Sequence, residues 1–343
     1  MNELIVVTGG TGYIGSHTTV ELMEAGYDVL IIDNLANSRI EVLDGIEKIT
    51  GRRPHFEQLD ICKKEGILDC FERYPGIKAI IHFAAHKAVP ESVAKPLMYY
   101  ENNLVSLINL LQAMKEHSVK HFVFSSSCTV YGQPDKLPVT EKSPIKIASS
   151  PYGNTKQISE EIINDTILAG DEINAICLRY FNPVGAHSSA EIGELPLGVP
   201  QNLVPFITQT AIGIREELSV FGDDYNTPDG SAVRDYINVV DLSRAHVVSI
   251  NRLLSGKNKK DLEIFNLGTG RGLSVLEVIK AFVEATGVEF KYKVVDRRDG
   301  DVEQVFADTT LANDELGWKA EIGLIDTMKS AWAWEQNIRS QME

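Results

Sequence analysis

The sequence has little cysteine, few basic residues relative to acidic ones, and no apolar run long enough to cross a membrane. Its four cysteines (Cys62, Cys70, Cys128 and Cys177) are scattered without metal-ligand spacing, which is typical of reduced thiols. Lys and Arg number 33 against 48 Asp and Glu, and the net charge of −15 disfavours a nucleic-acid or anionic-membrane partner. No basic leader precedes the first apolar stretch, which predicts a cytoplasmic protein. The scattered cysteines predict that the protein has no metal site.

What the sequence does contain is a glycine-rich turn near its start. An apolar run at residues 4–8 leads into Gly9, Gly12 and Gly15, an amphipathic stretch follows, and a second apolar run ends at Asp33. Such glycines permit a tight turn and the close approach of a pyrophosphate to a helix amino terminus. Asp33 is placed to accept hydrogen bonds from a ribose diol and would repel a 2′-phosphate. The pattern therefore predicts an NAD site.

Strand-like and helix-like segments continue to alternate as far as about residue 180. This order predicts an α/β fold with a doubly wound parallel sheet, whose ligands lie at the carboxyl ends of the strands. Asp60, Ala84 and Ser127 fall at such ends. We assign residues 1–182 to a Rossmann domain and 183–343 to a smaller, mixed α/β substrate-binding domain. Part of about 233–270 is expected to pack back on the first domain.

Tyr152 and Lys156 lie four residues apart just after Pro151, where a helix is expected to begin. On a helix these two side chains share one face. A neighbouring ammonium lowers the pKa of a phenol, so that the tyrosine can act as a general base. The spacing also arises by chance in many helices, so the pair depends on its context.

Arginines mark the second half of the chain, at Arg234 and at Arg297–Arg298. The planar guanidinium suits bidentate binding of phosphate. A surface salt-bridge role is the alternative, and these residues alone leave it open.

Three strings carry a more specific resemblance: GGTGYIGSH at 9–17, LRYFNPVGAH at 178–187 and VRDYI at 233–237. With the Tyr-x-x-x-Lys pair and the serines at 125–127, they resemble the extended short-chain dehydrogenase/reductases. Within that group the chain is most similar to the UDP-glucose 4-epimerase family, from the first strand to the final Trp-rich helix.

The resemblance implies a function and a set of site residues. It implies that UDP-glucose and UDP-galactose are interconverted by transient oxidation at C4 with tightly bound NAD, in a homodimer joined through helices at about 96–117 and 152–168. The implied catalytic residues are Ser127, Tyr152 and Lys156. The implied cofactor contacts are Gly9, Gly12, Tyr13, Ile14, Gly15, Asp33, Asn34, Asn37, Ser38, Asp60, Ile61, Phe83, Ala84, Lys87, Asn102, Tyr152, Lys156 and Tyr180. The implied substrate contacts are Lys87, Ser127, Tyr152, Asn182, Asn202, Leu203, Phe221, Arg234, Tyr236, Arg298, Asp301 and Val305.

Alternatives stay open at this point. A nucleotide-sugar 4,6-dehydratase or decarboxylase would share the fold, although the acidic pair that elimination needs is missing after Ser127. A catalytically inactive NAD-binding protein is a further alternative, disfavoured because Tyr152 and Lys156 are both present. Val305 has two interpretations: it leaves room for UDP-GlcNAc and UDP-GalNAc, or it is a core valine.

Overall fold

Seven parallel strands form the central sheet of the computed structural model, which describes residues 2–297 and 302–342. The strands in chain order are β1 (Leu4–Thr8), β2 (Asp28–Asp33), β3 (His55–Gln58), β4 (Ile77–His82), β5 (His121–Ser127), β6 (Asn174–Tyr180), β7 (Asn182–Val184), β8 (Leu218–Phe221), β9 (Val233–Arg234), β10 (Tyr236–Asn238), β11 (Leu262–Leu267), β12 (Leu273–Ser274), β13 (Tyr292–Val295) and β14 (Gln304–Val305). The central sheet has the order β11-β6-β5-β4-β1-β2-β3. This order confirms the predicted doubly wound α/β fold.

Helices cover both faces of this sheet and build most of the second half. They are α1 (Tyr13–Glu24), α2 (Val42–Thr50), α3 (Lys64–Arg73), α4 (Val89–Ala94), α5 (Pro96–Tyr100), α6 (Ser106–Glu116), α7 (Pro151–Leu168), α8 (Leu203–Ala211), α9 (Val239–Leu254), α10 (Val275–Thr286) and α11 (Leu324–Met342). The helix expected at 96–117 is interrupted by a π-helical turn at Glu101–Val105. Its direction is maintained through that turn, because the flanking residues keep right-handed helical backbone angles.

Two apolar layers hold the helices against the sheet. On one face, side chains of α1, α2 and α9 pack on the strands, with Val20, Ile46 and Leu242 fully buried. On the other face, α3, α6 and α7 do the same through residues such as Leu110 and Ile163. Each such side chain contributes about 1.5–3 kcal/mol by leaving water, so the strand ends between the two layers are rigidly placed.

The smaller part of the fold contains α8, α10 and α11 with three short sheets, and we call it the lobe. Its core surrounds Ile207, Phe282 and Met328, each fully buried. The chain leaves the central sheet through β7 and returns through β10, and these two strands pair in parallel. It then forms α9, which packs against α1, and β11, which pairs with β6 at the edge of the central sheet.

None of the helices within residues 2–297 and 302–342 is both long enough and apolar enough to cross a membrane.

Candidate active site

The turn between β1 and α1 has no room for side chains at its glycines. Gly9 has a φ of +70°, and a Cβ there would lie 2.8 Å from the backbone nitrogen of Ala84. A Cβ on Gly15 would lie 2.2 Å from the carbonyl oxygen of Gly9. Gly12 caps α1 with extended backbone angles and no side-chain bond. The first turn of α1 therefore presents backbone N–H groups that an anionic group can approach closely.

Asp33 at the end of β2 is fixed beside this turn. Its carboxylate accepts hydrogen bonds from the backbone N–H of Thr11 at 3.2 Å and of Leu35 at 2.9 Å, and from Ser38 Oγ at 3.3 Å. Ser38 Oγ also contacts Thr11 Oγ1 at 2.7 Å. The loop that follows, including Asn34 and Asn37, is exposed at those two residues. A charged acceptor thus lies where the sequence places the ribose contact.

The next strand ends lie along the same edge of the sheet. Phe83, after β4, donates its N–H to the carbonyl of Thr8 at 3.0 Å. After β3, Asp60 accepts from the Cys62 N–H at 3.0 Å, and Ile61 is buried. Asn102, in the π-helical turn, accepts a bond from Cys62 Sγ at 3.5 Å through its carbonyl. The structure therefore brings Asn102 to the turn after β3, although the two are far apart in sequence.

Ser127, Tyr152 and Lys156 meet at the centre of this edge. Ser127 ends β5, and α7 begins at Pro151 with Ser150 as its cap, whose Oγ accepts the Gly153 N–H at 3.1 Å. The Ser127 side chain lies close enough to the Tyr152 phenol to favour its ionised form. Lys156, one helical turn later, donates from Nζ to the Ser125 carbonyl at 2.6 Å and lies 5.9 Å from the centre of the Tyr152 ring. The three residues form one contact group, which we call the catalytic group.

Electrostatics in this group differ from the expectation in one respect. The pKa of Tyr152 is raised, mainly because burial disfavours the phenolate and also because Tyr180 is close, while the bond to Ser127 acts in the opposite direction. Burial lowers the pKa of Lys156 to about 8, against the attraction of Glu160. In the protein alone the pKa of Tyr152 is thus raised, with loss of hydration as the largest cause. The expected lowering by positive charge in the NAD-bound site stays a prediction.

Lys87, an expected cofactor and substrate contact, forms an ion pair with Glu194. Its Nζ lies 3.4 Å from a carboxylate oxygen of Glu194, and its side chain is half exposed. Glu194 therefore compensates the charge of Lys87. Tyr180, at the end of β6, hydrogen-bonds through its hydroxyl to Ser125 Oγ and borders the catalytic group.

The remaining expected contacts lie on the lobe. Asn182 on β7 pairs in register with Tyr236 on β10. Arg234 on β9 donates from Nη1 to the Val233 carbonyl at 2.9 Å and pairs in register with Val305 on β14. The side of the lobe that carries these residues is called the lobe face.

Val305 packs against other apolar side chains of the lobe face. It is 7% exposed and clusters with Tyr131, Phe181 and Ala307. This contact set favours the core interpretation, while the pairing with Arg234 keeps the residue at the lobe face.

Three further expected contacts of the lobe face lie at α8 and β8. Asn202 precedes α8, and its Nδ2 donates to Glu194 Oε1 at 2.6 Å. Leu203 begins that helix, and Phe221 ends β8. The expected substrate residues Arg298 and Asp301 lie outside the described residues.

The chain is similar to known proteins over nearly its whole length. A family model described as GDP-mannose 4,6 dehydratase matches residues 6–331. The UDP-glucose 4-epimerase of Dictyostelium discoideum is 50% identical, with 98% of this chain and 96% of the relative covered. The human UDP-glucose 4-epimerase is 48% identical, with 98% and 97% covered. The chain belongs to the UDP-glucose 4-epimerase family.

Solved structures of the UDP-glucose 4-epimerase family agree with this assignment. The Bifidobacterium longum epimerase, in complex with NAD+ and UDP, has a TM-score of 0.93 and 46% identity, and the match covers 97% of this chain and 98% of that chain. The Stenotrophomonas maltophila epimerase, with bound NAD and formylated UDP-arabinopyranose, has a TM-score of 0.95 and 46% identity, with 99% of each chain covered.

The UDP-glucose 4-epimerase family assignment decides between the alternatives left open by the sequence. The family model described as a dehydratase matches residues 6–331. The curated relatives that are 50% and 48% identical to this chain, however, are UDP-glucose 4-epimerases. The residues after Ser127 are Cys128 and Thr129, which supply no acidic pair for elimination. The dehydratase interpretation is therefore not favoured.

Sequence reasoning missed three buried or half-buried acids near this epimerase-family site. Asp235 is fully buried and accepts bonds from Thr269 N at 2.8 Å, Gly270 N at 3.1 Å and Ala307 N at 3.2 Å, which ties three segments behind Arg234. Glu194 binds Lys87 and Asn202. Glu160 lies one helical turn after Lys156, and that spacing was the one available signal.

Proposed function

We propose that this protein interconverts UDP-glucose and UDP-galactose by transient oxidation at C4 with bound NAD. The observation that carries the proposal is the catalytic group at the sheet edge, directly beside a glycine turn and an acidic strand end. Family membership supports the same reaction.

The residues at the first two strand ends fit NAD. The glycine turn leaves no space for a Cβ at Gly15, and the N–H groups at the start of the 12-residue helix behind it would favour a pyrophosphate. The Asp33 carboxylate would accept the ribose hydroxyls, with Asn34, Asn37 and Ser38 near it. When bound, NAD removes a hydride from the sugar and returns it. Relatives in solved structures contain this cofactor.

The chain itself supplies proton transfer. We assign Tyr152 as the base that removes the proton of the sugar 4-hydroxyl, with Ser127 as its hydrogen-bonded relay. Because burial raises the Tyr152 pKa, the tyrosine is neutral at pH 7 in the protein alone. Its ionisation must therefore be coupled to positive charge in the site, of which Lys156 is the contribution from this chain. Loss of the hydroxyl proton to Tyr152, together with loss from C4 of the hydride that NAD would accept, would leave a flat 4-keto sugar. Turning this sugar over before the hydride and proton return would invert C4.

We assign the lobe face to the UDP group. Arg234 would pair with the diphosphate, and Asn182, Asn202, Leu203, Phe221 and Tyr236 would hold the nucleotide, together with Arg298 and Asp301. Anchoring the UDP while leaving few charges near the sugar ring allows the ring to turn. A relative that is 46% identical binds UDP in its crystal structure.

The test is an assay of UDP-galactose with the purified protein and no added NAD. Conversion to UDP-glucose without net NADH is the expected result, since each oxidation is reversed in the same site. Accumulation of NADH would instead indicate a dehydrogenase, and absence of both products would indicate a protein that only binds NAD.

We further propose a homodimer formed through α5–α6 and α7. Leu97 is 80% exposed, and Val105 and Ile108 continue the same helical side at 37% and 39%. Leu168 on α7 is 76% exposed. A run of exposed apolar residues on adjacent helices is typical of an interface between subunits. Sedimentation analysis of the wild type and of Leu97→Glu would test it, with loss of the dimer expected in the variant.

The division at residues 182 and 183 also stays a proposal, as does the cytoplasmic location. For the division, the packing of α9 on α1 and of β11 on β6 supports an expected return of about 233–270 to the first domain. For the location, all four cysteines are free thiols, as is usual in a reducing compartment.

A further inference from the structure

A buried ion pair lies directly behind the catalytic group. Glu160 on α7 and Arg179 on β6 are 9% and 4% exposed. Their contacts are bidentate: Arg179 Nε lies 2.9 Å from Glu160 Oε1, and Nη2 lies 2.5 Å from Oε2. Bidentate arginine–carboxylate pairs fix the relative orientation of the two elements that carry them.

The same carboxylate also holds the catalytic strand. Ser126 Oγ donates to Glu160 Oε1 at 2.5 Å, and Ser126 pairs in register with Arg179. Ser126 lies between Ser125, whose carbonyl accepts a hydrogen bond from the Lys156 ammonium, and Ser127, whose side chain lies near the Tyr152 phenol. The end of β5 is thus attached to α7 at two neighbouring residues, through Lys156 at Ser125 and through Glu160 at Ser126.

Few charged or titratable groups surround Lys156. On its own helix these are Tyr152 and Glu160, on β6 they are Cys177 and Arg179, and on β4 there is His82. Its Nζ also lies 4.7 Å from the centre of the Phe124 ring. Among these groups Glu160 is the carboxylate, and its attraction favours the charged form of Lys156.

We propose that Glu160 is a positioning residue for the epimerisation. This assignment rests on the proposed function. Held by Arg179 and bonded to Ser126, it sets the separation between α7 and the end of β5. That separation determines whether Ser127, Tyr152 and Lys156 can act on one sugar hydroxyl. A displacement of the reacting groups by about 1 Å can reduce turnover by about 10²-fold.

A second ion pair of the same kind provides a matched control. Arg252 on α9 and Glu263 on β11 are also bidentate, with Nε–Oε2 at 2.6 Å and Nη2–Oε1 at 2.8 Å. Their side chains are 10% and 8% exposed. Glu263 lies at the amino end of its strand, away from the edge that carries the site.

The experiment replaces each pair by apolar residues, as Glu160→Leu with Arg179→Met, and Glu263→Leu with Arg252→Met. Removing both charges avoids leaving one of them buried and unpaired. For the first double variant we expect kcat lowered by about 10- to 100-fold with KM nearly unchanged. The control variant should keep wild-type kcat. Equal kcat values in the two double variants would overturn the proposal.

Two further readouts separate positioning from general loss of packing. In Glu160→Gln the alkaline limb of the kcat–pH profile should move to lower pH, because Lys156 loses its attractive neighbour; Glu263→Gln should not move it. Crystal structures should show a longer contact between Ser125 O and Lys156 Nζ in the first double variant. An unchanged contact there would contradict the positioning role of Glu160, whether or not the wild type is active. An inactive wild type would separately refute the proposed function.

Discussion

The sheet edge and the lobe face are built in different ways, although both contribute to one candidate site. At the sheet edge, Asp33, Ser127 and Tyr180 end strands of six or seven residues that run through the buried core, and Tyr152 and Lys156 lie on the 18-residue helix α7. On the lobe face, β9 has two residues and β7 and β10 have three each. Their functional residues are held by side-chain and backbone bonds between separate segments, as around Asp235.

This difference matches a division of labour. Proton transfer requires groups held to within a fraction of an ångström, which rigid strand ends and a long helix provide. Nucleotide anchoring tolerates more adjustment, and short paired strands suffice. Variants of the catalytic group should therefore change kcat, and variants on the lobe face should change KM.

The largest effect is expected for Tyr152→Phe. Removing the base should lower kcat by about 10²–10⁴-fold, while NAD content and Tm stay near wild type. Steady-state kinetics measure kcat, the absorbance spectrum of the pure protein gives its NAD content, and thermal unfolding gives Tm. Tyr100→Phe is the control, because it removes a hydroxyl that bonds Asn154 on the same helix at 2.7 Å. Near-normal turnover of Tyr152→Phe would remove the tyrosine from the mechanism.

Arg234→Gln should act mainly on KM. Loss of a charge-assisted bond to phosphate costs about 1.5–3 kcal/mol, which corresponds to roughly 10- to 100-fold weaker binding. The comparison is with Arg244→Gln, an exposed arginine on α9 that contacts Glu21 at 3.3 Å. Calorimetric titration with UDP gives the affinity directly. If Arg234→Gln lowered kcat and left UDP affinity intact, the contrast between the two halves would be lost.

Asp33→Asn should change cofactor selection, with a smaller effect than that of Arg234→Gln on substrate binding. The neutral amide keeps the size of the side chain but loses charge-assisted bonding to the ribose, so NAD affinity should fall by about 10-fold. Repulsion of a 2′-phosphate should fall as well, which narrows the preference for NAD over NADP. Asp28→Asn, at the other end of β2, should leave both affinities unchanged. Affinities measured on protein freed of cofactor decide the outcome.

The smallest effect on the main reaction is expected for Val305→Tyr. If Val305 leaves room for an N-acetyl group, the added ring should lower the ratio of UDP-GlcNAc to UDP-glucose turnover by about 10-fold or more. Overpacking beside Phe181 should also cost about 1–3 kcal/mol of stability, seen as a lower Tm. A wild type that does not epimerise UDP-GlcNAc would leave Val305 as a core residue only.

The sheet edge could be predicted largely from the sequence, because alternating apolar runs and a glycine turn report directly on a parallel sheet. The lobe face was predicted only through resemblance, since strands of two or three residues carry no periodicity. Helix α9 was missed although most of its residues are buried. The rise of the Tyr152 pKa in the protein alone could not be predicted, because burial depends on packing between distant segments, which residue spacing does not reveal.

The pairing of β7 with β10 has a consequence for folding. The chain passes out to the lobe and back again before β11 completes the sheet, and after β11 it returns to the lobe for α10 and α11. Neither part is contiguous in sequence. We therefore expect the two parts to unfold in one cooperative transition, with the edge position beside β6 filled only after the inserted segment has been synthesised.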